Sequence, residues 1–197
     1  NTDWNKEVLL PRAWQQMHSL TASGGSDKVK YFAGFGYVKQ DALYGDTRTN
    51  KSTSGFNRYN ARVNIDANIV DKYLNLSADM AYRQEDRNSI AGSTSDVFNN
   101  MHRNPQTDPG RFPDGNLGKV SLGVNPIGLA TEGGWVKDRK SVLNTRFMLD
   151  FNVPGLEGLN LKGIFSYDKI FNSIKRWTTP VDFYVWNKIT GEYDGHS

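Results

Sequence analysis

The sequence predicts an all-β, antiparallel fold whose strands are greasy on one face and wet on the other. Three observations lead there. The first is the stretch from Tyr59 to Ile69, where apolar and polar residues alternate for eleven positions without a fault. Successive side chains of a strand point to opposite faces. Tyr59, Ala61, Val63, Ile65, Ala67 and Ile69 therefore share one face, and Asn60, Arg62, Asn64, Asp66 and Asn68 the other. The second is a rhythm of short and long connections between such stretches. The third is composition. Hydrophobic residues are only 37% of 197, which leaves few large aliphatics for a soluble core. No run of about 18 apolar residues is present, so no helix of this chain is expected to span a bilayer. A closed barrel crosses a bilayer without one, because alternating strands satisfy each other's backbone groups. Together these predict about six strands of a transmembrane β-barrel with long extracellular loops.

The strands follow in order. Residues 13–23 place Trp14, His18, Leu20 and Ala22 on one face, and residues 29–38 do the same with Tyr31, Ala33, Phe35 and Tyr37. The 59–69 stretch is third. Residues 74–83 set Leu74, Leu76, Ala78, Met80 and Tyr82 against Asn75, Ser77, Asp79 and Arg83. Residues 142–153 set Leu143, Phe147, Leu149, Phe151 and Val153 against Asn144, Arg146, Asp150 and Asn152. Residues 159–168 set Leu159, Leu161, Phe165 and Tyr167 against Asn160, Lys162, Ser166 and Asp168. Thr145 breaks an apolar face; Met148 and Ile164 break polar ones.

The connections are short at 24–27, 70–73 and 154–158, and long at 39–56 and 84–140. Gly24-Gly25-Ser26-Asp27 has the residues that tolerate tight turns. Tight turns at one end and long loops at the other are the pattern of an outer-membrane barrel, whereas sandwich turns are similar at both ends. An eleven-residue strand is roughly 36 Å long; tilted by about 45° it rises roughly 25 Å, the height of a barrel's apolar band. Trp14, Tyr31, Tyr59, Tyr73 and Tyr82 fall at the expected strand ends, where an aromatic girdle meets the lipid interface. Within the longest loop, residues 95–102 predict a short helix capped by Ser95 or Asp96. Pro105, Pro109 and Pro113 stop it, and Asp114-Gly115 marks a turn.

Catalytic and metal chemistry finds little support. Gly34 and Gly36 lie inside a strand pattern, lack a third glycine and open no helix, so they read as close backbone approach rather than a nucleotide site. His18, His102 and His196 lack ligand spacing, and the absence of cysteine removes disulfides and thiolate sites. Asp66 and Asp79 have the parity of one face, but with Arg62 and Arg83 beside them they read as lumen charges, not an acid/base pair. Asn50-Lys51-Ser52 and Asn75-Leu76-Ser77 match a glycosylation sequence that carries no weight in a bacterial barrel. A net charge of +3, scattered along the chain, does not point to nucleic acid. No enzyme constellation and no cofactor are expected. The lumen-facing candidates are Arg62, Asn64, Asp66, Asp79, Arg83 and Arg146. Trp135, Trp177 and Trp186 fall in loop-like stretches and are candidates for contact with a ligand or a lid.

Several stretches together resemble a known family. They are Asn1-Thr2-Asp3-Trp4, Gln15 to Gly25 with its Ser-Gly-Gly ending, Tyr31 to Gln40, Arg58 to Ile69, Arg103 to Gly115, and Asn125-Pro126. In this order they resemble the early barrel of SusC/RagA-type TonB-linked outer-membrane proteins of Bacteroidetes, over essentially the whole chain. The resemblance implies a barrel of about twenty-two strands with an internal plug. It implies import of glycans or peptides driven through TonB, and a SusD-like surface lipoprotein as lid. Residues 1–197 would be a partial barrel domain without the plug and the remaining strands, and Asn1 reads as the start of a mature or excised piece. The reading from another class is a soluble β-rich carbohydrate-binding module with the three tryptophans as its platform.

Overall fold

The computed structural model describes residues 1–196; Ser197 and the side chain of His196 lie outside the described residues. In chain order the elements are α1 (Trp4–Val8), β1 (Gln15–Gly25), β2 (Val29–Asp41), β3 (Gly45–Asp46), β4 (Lys51–Ser52), β5 (Gly55–Val70), β6 (Leu74–Ile90), α2 (Thr94–Arg103), α3 (Pro126–Thr131), β7 (Gly134–Asn152), β8 (Asn160–Thr178), β9 (Phe183–Asn187) and β10 (Glu192–His196). Six of the strands form one sheet in the order β1-β2-β5-β6-β7-β8, antiparallel throughout, with each strand paired to the next in sequence apart from the small β3–β4 hairpin. All six strands expected from alternation are present.

Register carries the two-sidedness across the sheet. One row runs Leu20, Phe35, Ala61, Tyr82, Leu143 and ends on β8 at Lys169, whose Nζ lies 4.5 Å from the centre of the Phe171 ring; the next toward the tight turns runs Ala22, Ala33, Val63, Met80, Thr145, Tyr167. The apolar faces of all six strands thus fall on one side. Because a one-residue slip would reverse a whole strand, this agreement is the strongest constraint on the pairing. The exception is Ile69. A bulge between Asn68 and Val70 leaves it without a partner in the β5–β6 ladder. Thr145 does not spoil the apolar face: it is buried, and its hydroxyl donates to the Tyr167 carbonyl at 2.7 Å.

The sheet has no dry interior. Val63, Ile65 and Leu149 are about 40% exposed or more. The buried apolar residues lie instead at the end opposite the tight turns. There Trp4, Val8, Ile90, Val97, Met101, Leu117, Val120, Ile127 and Ala130 form a single cluster built from α1, α2, α3 and the segments between them. The first residues are sewn onto this cap. Thr2 donates its hydroxyl to the Asp108 carbonyl at 2.6 Å, Gly110 donates its N–H to the Thr2 hydroxyl at 3.0 Å, and the Trp4 indole donates to Pro105 at 3.2 Å.

Several expectations need correction. The long loops are shorter than alternation implied, because β6 continues to Ile90, β7 begins at Gly134, β2 runs to Asp41 and β5 starts at Gly55. These extensions are mostly polar on both faces and carry apolar residues only near their ends, as at Ile90 and Trp135, so no period of two marks them; ladder hydrogen bonds and pairs such as Asp86–Arg139 (2.6 Å) hold them instead. For the same reason Tyr59 and Tyr82 lie within strands rather than at their ends, while Trp14 lies just outside β1. They still mark a boundary, since the row His18, Tyr37, Tyr59 continues into Gln84 and Ser141. The Tyr37 and Tyr59 rings are 5.1 Å apart. Helix α2 is capped by Ser93, not by Ser95 or Asp96. Trp135 lies in β7, Trp177 in β8 and Trp186 in β9, so none of the three is in a loop.

Candidate functional site

The six predicted charged and amide side chains share the polar face of the sheet, and three of them are joined by hydrogen bonds. Arg62, Asn64 and Asp66 have even parity on β5, Asp79 and Arg83 odd parity on β6, and Arg146 even parity on β7, which the ladders place on one side. Asn64 stands directly opposite Asp79, and Asp79 directly opposite Arg146. A chain of hydrogen bonds links Arg62, Asn64 and Asp79: Arg62 Nε donates to Asn64 Oδ1 at 2.8 Å, and Asn64 Nδ2 donates to Asp79 Oδ1. Asp66 accepts from the Ser77 hydroxyl at 2.6 Å. Arg83 stands apart from this chain and turns to Glu85 on its own strand at 3.4 Å.

The next strands complete the patch. Asn144 pairs with Ala81 and Asp168 in register, and its amide donates to Asp168 Oδ1 at 2.7 Å. A shallow depression of about 340 Å³ lies between Arg62, Asp79, Asn144, Arg146, Ser166 and Asp168. Asn144, Ser166 and Asp168 were legible as polar-face residues from alternation, but nothing in the sequence ranked them beside Arg62 or Asp79. Gly36 has a similar local reason. A Cβ there would sit 2.6 Å from Asn60 Oδ1, so glycine makes room for a polar-face side chain.

This face alternates arginine with carboxylate and amide, half-exposed and in part mutually hydrogen-bonded. Such a surface holds water and presents donors and acceptors to a polar solute. No group of three or more His, Cys, Asp or Glu is placed to hold a metal among the described residues. Met148 and Ile164 are direct partners on the same polar face and make a small apolar island in it.

The tryptophans sit elsewhere. Trp135 and Trp177 are register partners near the cap end, on the side continuous with the apolar face. Lys137 Nζ lies 4.6 Å from the centre of the Trp135 ring. Trp186 belongs to the β9–β10 hairpin and packs edge-on against Tyr193, which also meets Phe112 and Tyr184. No ring contact joins Trp186 to the other two tryptophans among the described residues.

A sheet of antiparallel neighbours, apolar on one side, hydrogen-bonded and polar on the other, and capped at one end, is a segment of β-barrel wall. The comparison with solved structures agrees. The chain is similar to the RagAB peptide importer in its "open-open" state, with a TM-score of 0.66 and 17% identity over 91% of this chain. It spans 20% of the length of that importer chain, so the likeness is one of fold and of a part. No protein-family model matches the sequence, and no curated protein matches it.

Proposed function

We propose that this chain forms part of the wall and outer loops of an outer-membrane, TonB-dependent nutrient importer of the SusC/RagA type. Its work is passage rather than chemistry. The row pattern of the sheet carries this reading: the same side of six consecutive strands is apolar, exposed and unpartnered over a height that suits a bilayer. The apolar side faces lipid. Arg62, Asn64, Asp66, Asp79, Arg83 and Arg146 face the water-filled interior, where they meet polar cargo or a plug. The cargo class is oligosaccharide or peptide. The compact cap faces outward, and with the β9–β10 hairpin it offers a surface to a SusD-like lipoprotein lid. Contact with TonB belongs to other parts of the parent protein.

The chain has no cysteine, so single cysteines introduced here into an otherwise cysteine-free form of the intact protein report on this segment. A hydrophilic thiol reagent should label positions 62, 64 and 66 and miss 61, 63 and 65. Uniform labelling of both sets would overturn the assignment. A soluble carbohydrate-binding module predicts that uniform result, together with stability in plain buffer.

A further inference from the structure

The apolar face changes character as it climbs toward the cap. Above Leu143 and Ser141, β7 presents Arg139 and then Lys137 on that same side; their partners across β8 are Ser173 and Lys175. Lys137 and Lys175 are thus directly opposed on adjacent strands. Like charges in that position repel. Neither lysine has a carboxylate partner among the described residues; the single carboxylate facing this side nearby, Asp86, is engaged by Arg139 at 2.6 Å. All three cations are exposed and border a depression of about 550 Å³, whose lining also holds Arg87 and the carboxylates Asp86 and Asp138. Here is an outward-facing site where cations outnumber carboxylates and neither of the opposed lysines is ion-paired among the described residues.

Its height is informative. Arg139 and Lys137 lie roughly 40 and 46 Å along β7 from Phe151 at about 3.3 Å per residue. At a tilt of about 45° that is about 28 and 33 Å above it, just beyond an apolar band of about 25 Å. Cations at that level meet lipid headgroups, and lysine stems reach along apolar surface while the ammonium stays in the polar zone. We infer that Lys137, Arg139 and Lys175 form a binding site for the phosphate groups of membrane lipid headgroups, with an anion bridging the opposed lysines. The inference rests on the membrane reading above and adds to it a specific lipid contact on the outside of the wall.

The test uses the intact protein, folded in neutral detergent and titrated with bisphosphorylated lipid A, its dephosphorylated form, and inorganic phosphate. At about fivefold per lysine, Lys137→Gln with Lys175→Gln should weaken binding of the phosphorylated lipid about 25-fold. Lys→Arg at both positions should keep it. If the double variant does not fold, Lys175→Gln alone decides, with a loss of about fivefold. Equal binding by wild type and variant, equal binding of the dephosphorylated lipid, or displacement by inorganic phosphate at matching concentration would each overturn the site. Insertion into phosphatidylcholine vesicles is measured alongside. Normal insertion without phosphate selectivity rejects this site alone, whereas failure to insert rejects the membrane reading and the site with it.

Discussion

The side-chain amide of Asn125 donates to the Gly110 carbonyl at 2.7 Å. Its second N–H donates to the Gly118 carbonyl at 2.8 Å, and its Oδ1 accepts the Ile127 N–H at 3.0 Å. At 1% exposure, Asn125 has no water to fall back on. It caps α3 and ties two turns of the long insertion to that helix. Asn125→Leu would leave the Gly118 carbonyl and the Ile127 N–H unsatisfied, at about 1–3 kcal/mol each, while the Gly110 carbonyl keeps its bond from the Gly118 N–H. Asn125→Asp would keep the cap acceptor but turn a carboxylate toward both carbonyls. Both variants should raise amide exchange across residues 104–131 while the six-stranded sheet keeps its protection. Unchanged exchange in the cap would show that Asn125 is not its tie.

The cap also depends on a close approach. A Cβ on Gly110 would lie 2.7 Å from Thr2 Cγ2 and 3.1 Å from Ile127 Cδ1. Gly110→Val should therefore push the first residues off the insertion and expose Trp4, now 4% exposed. Trp4→Ala, which deletes the largest side chain of the cluster, should cost about 3–5 kcal/mol of cap stability. Tryptophan fluorescence provides the reading: Gly110→Val should give a red shift and easier quenching. An unshifted spectrum would mean the insertion tolerates the extra carbon.

These contacts explain what was legible in the sequence and what was not. A period of two is visible only where one face is greasy, so alternation found the lower part of every strand and lost the upper part, as at Gln84-Glu85-Asp86-Arg87. The polar-face residues came from the same alternation, and register did the rest by setting Asn64 beside Asp79 and Asp79 beside Arg146. Helix α3 left one local sign, Asn125 before Pro126, a cap followed by a first-turn proline. The docking of Thr2 on Asp108 left none, because a contact between residues so far apart in sequence has no period. The same holds for the opposed pair Lys137 and Lys175, which appears only once the β7–β8 ladder is drawn.

The hairpin of β3 and β4 should loosen in acid. Partial burial of Asp46 acts to raise its pKa, but the hydrogen bonds from the Arg48 side chain and N–H, with the Arg48 charge, outweigh it and hold the carboxyl below its ordinary value. A carboxylate whose folded pKa is depressed adds stability above its unfolded pKa and loses that contribution as pH falls through the folded one. Amide exchange at residues 45–52 should therefore quicken below the ordinary aspartate range. Asp46→Asn should flatten that dependence. A pH response that survives in Asp46→Asn would assign it to another group.

The two faces of β5 give the most direct comparison, because Arg62 and Val63 are neighbours in sequence and differ in side. Val63 stands between Ala33 and Met80 in the middle of the apolar rows. On the proposed wall reading an arginine there would meet hydrocarbon, and Val63→Arg should destabilise the folded barrel by about 2–4 kcal/mol near the bilayer midplane. Ile65→Arg, one row nearer the tight turns, should behave alike. Arg62 lies on the polar face, where its loss deprives the sheet of one exposed hydrogen bond to Asn64. Arg62→Ala should fold into lipid as wild type does, within the small range typical of exposed polar groups. Heat-modifiable migration and denaturant titration of the intact protein in vesicles measure both. Equal losses for Val63→Arg and Arg62→Ala would mean that the two faces of β5 see the same surroundings, which a barrel wall does not allow.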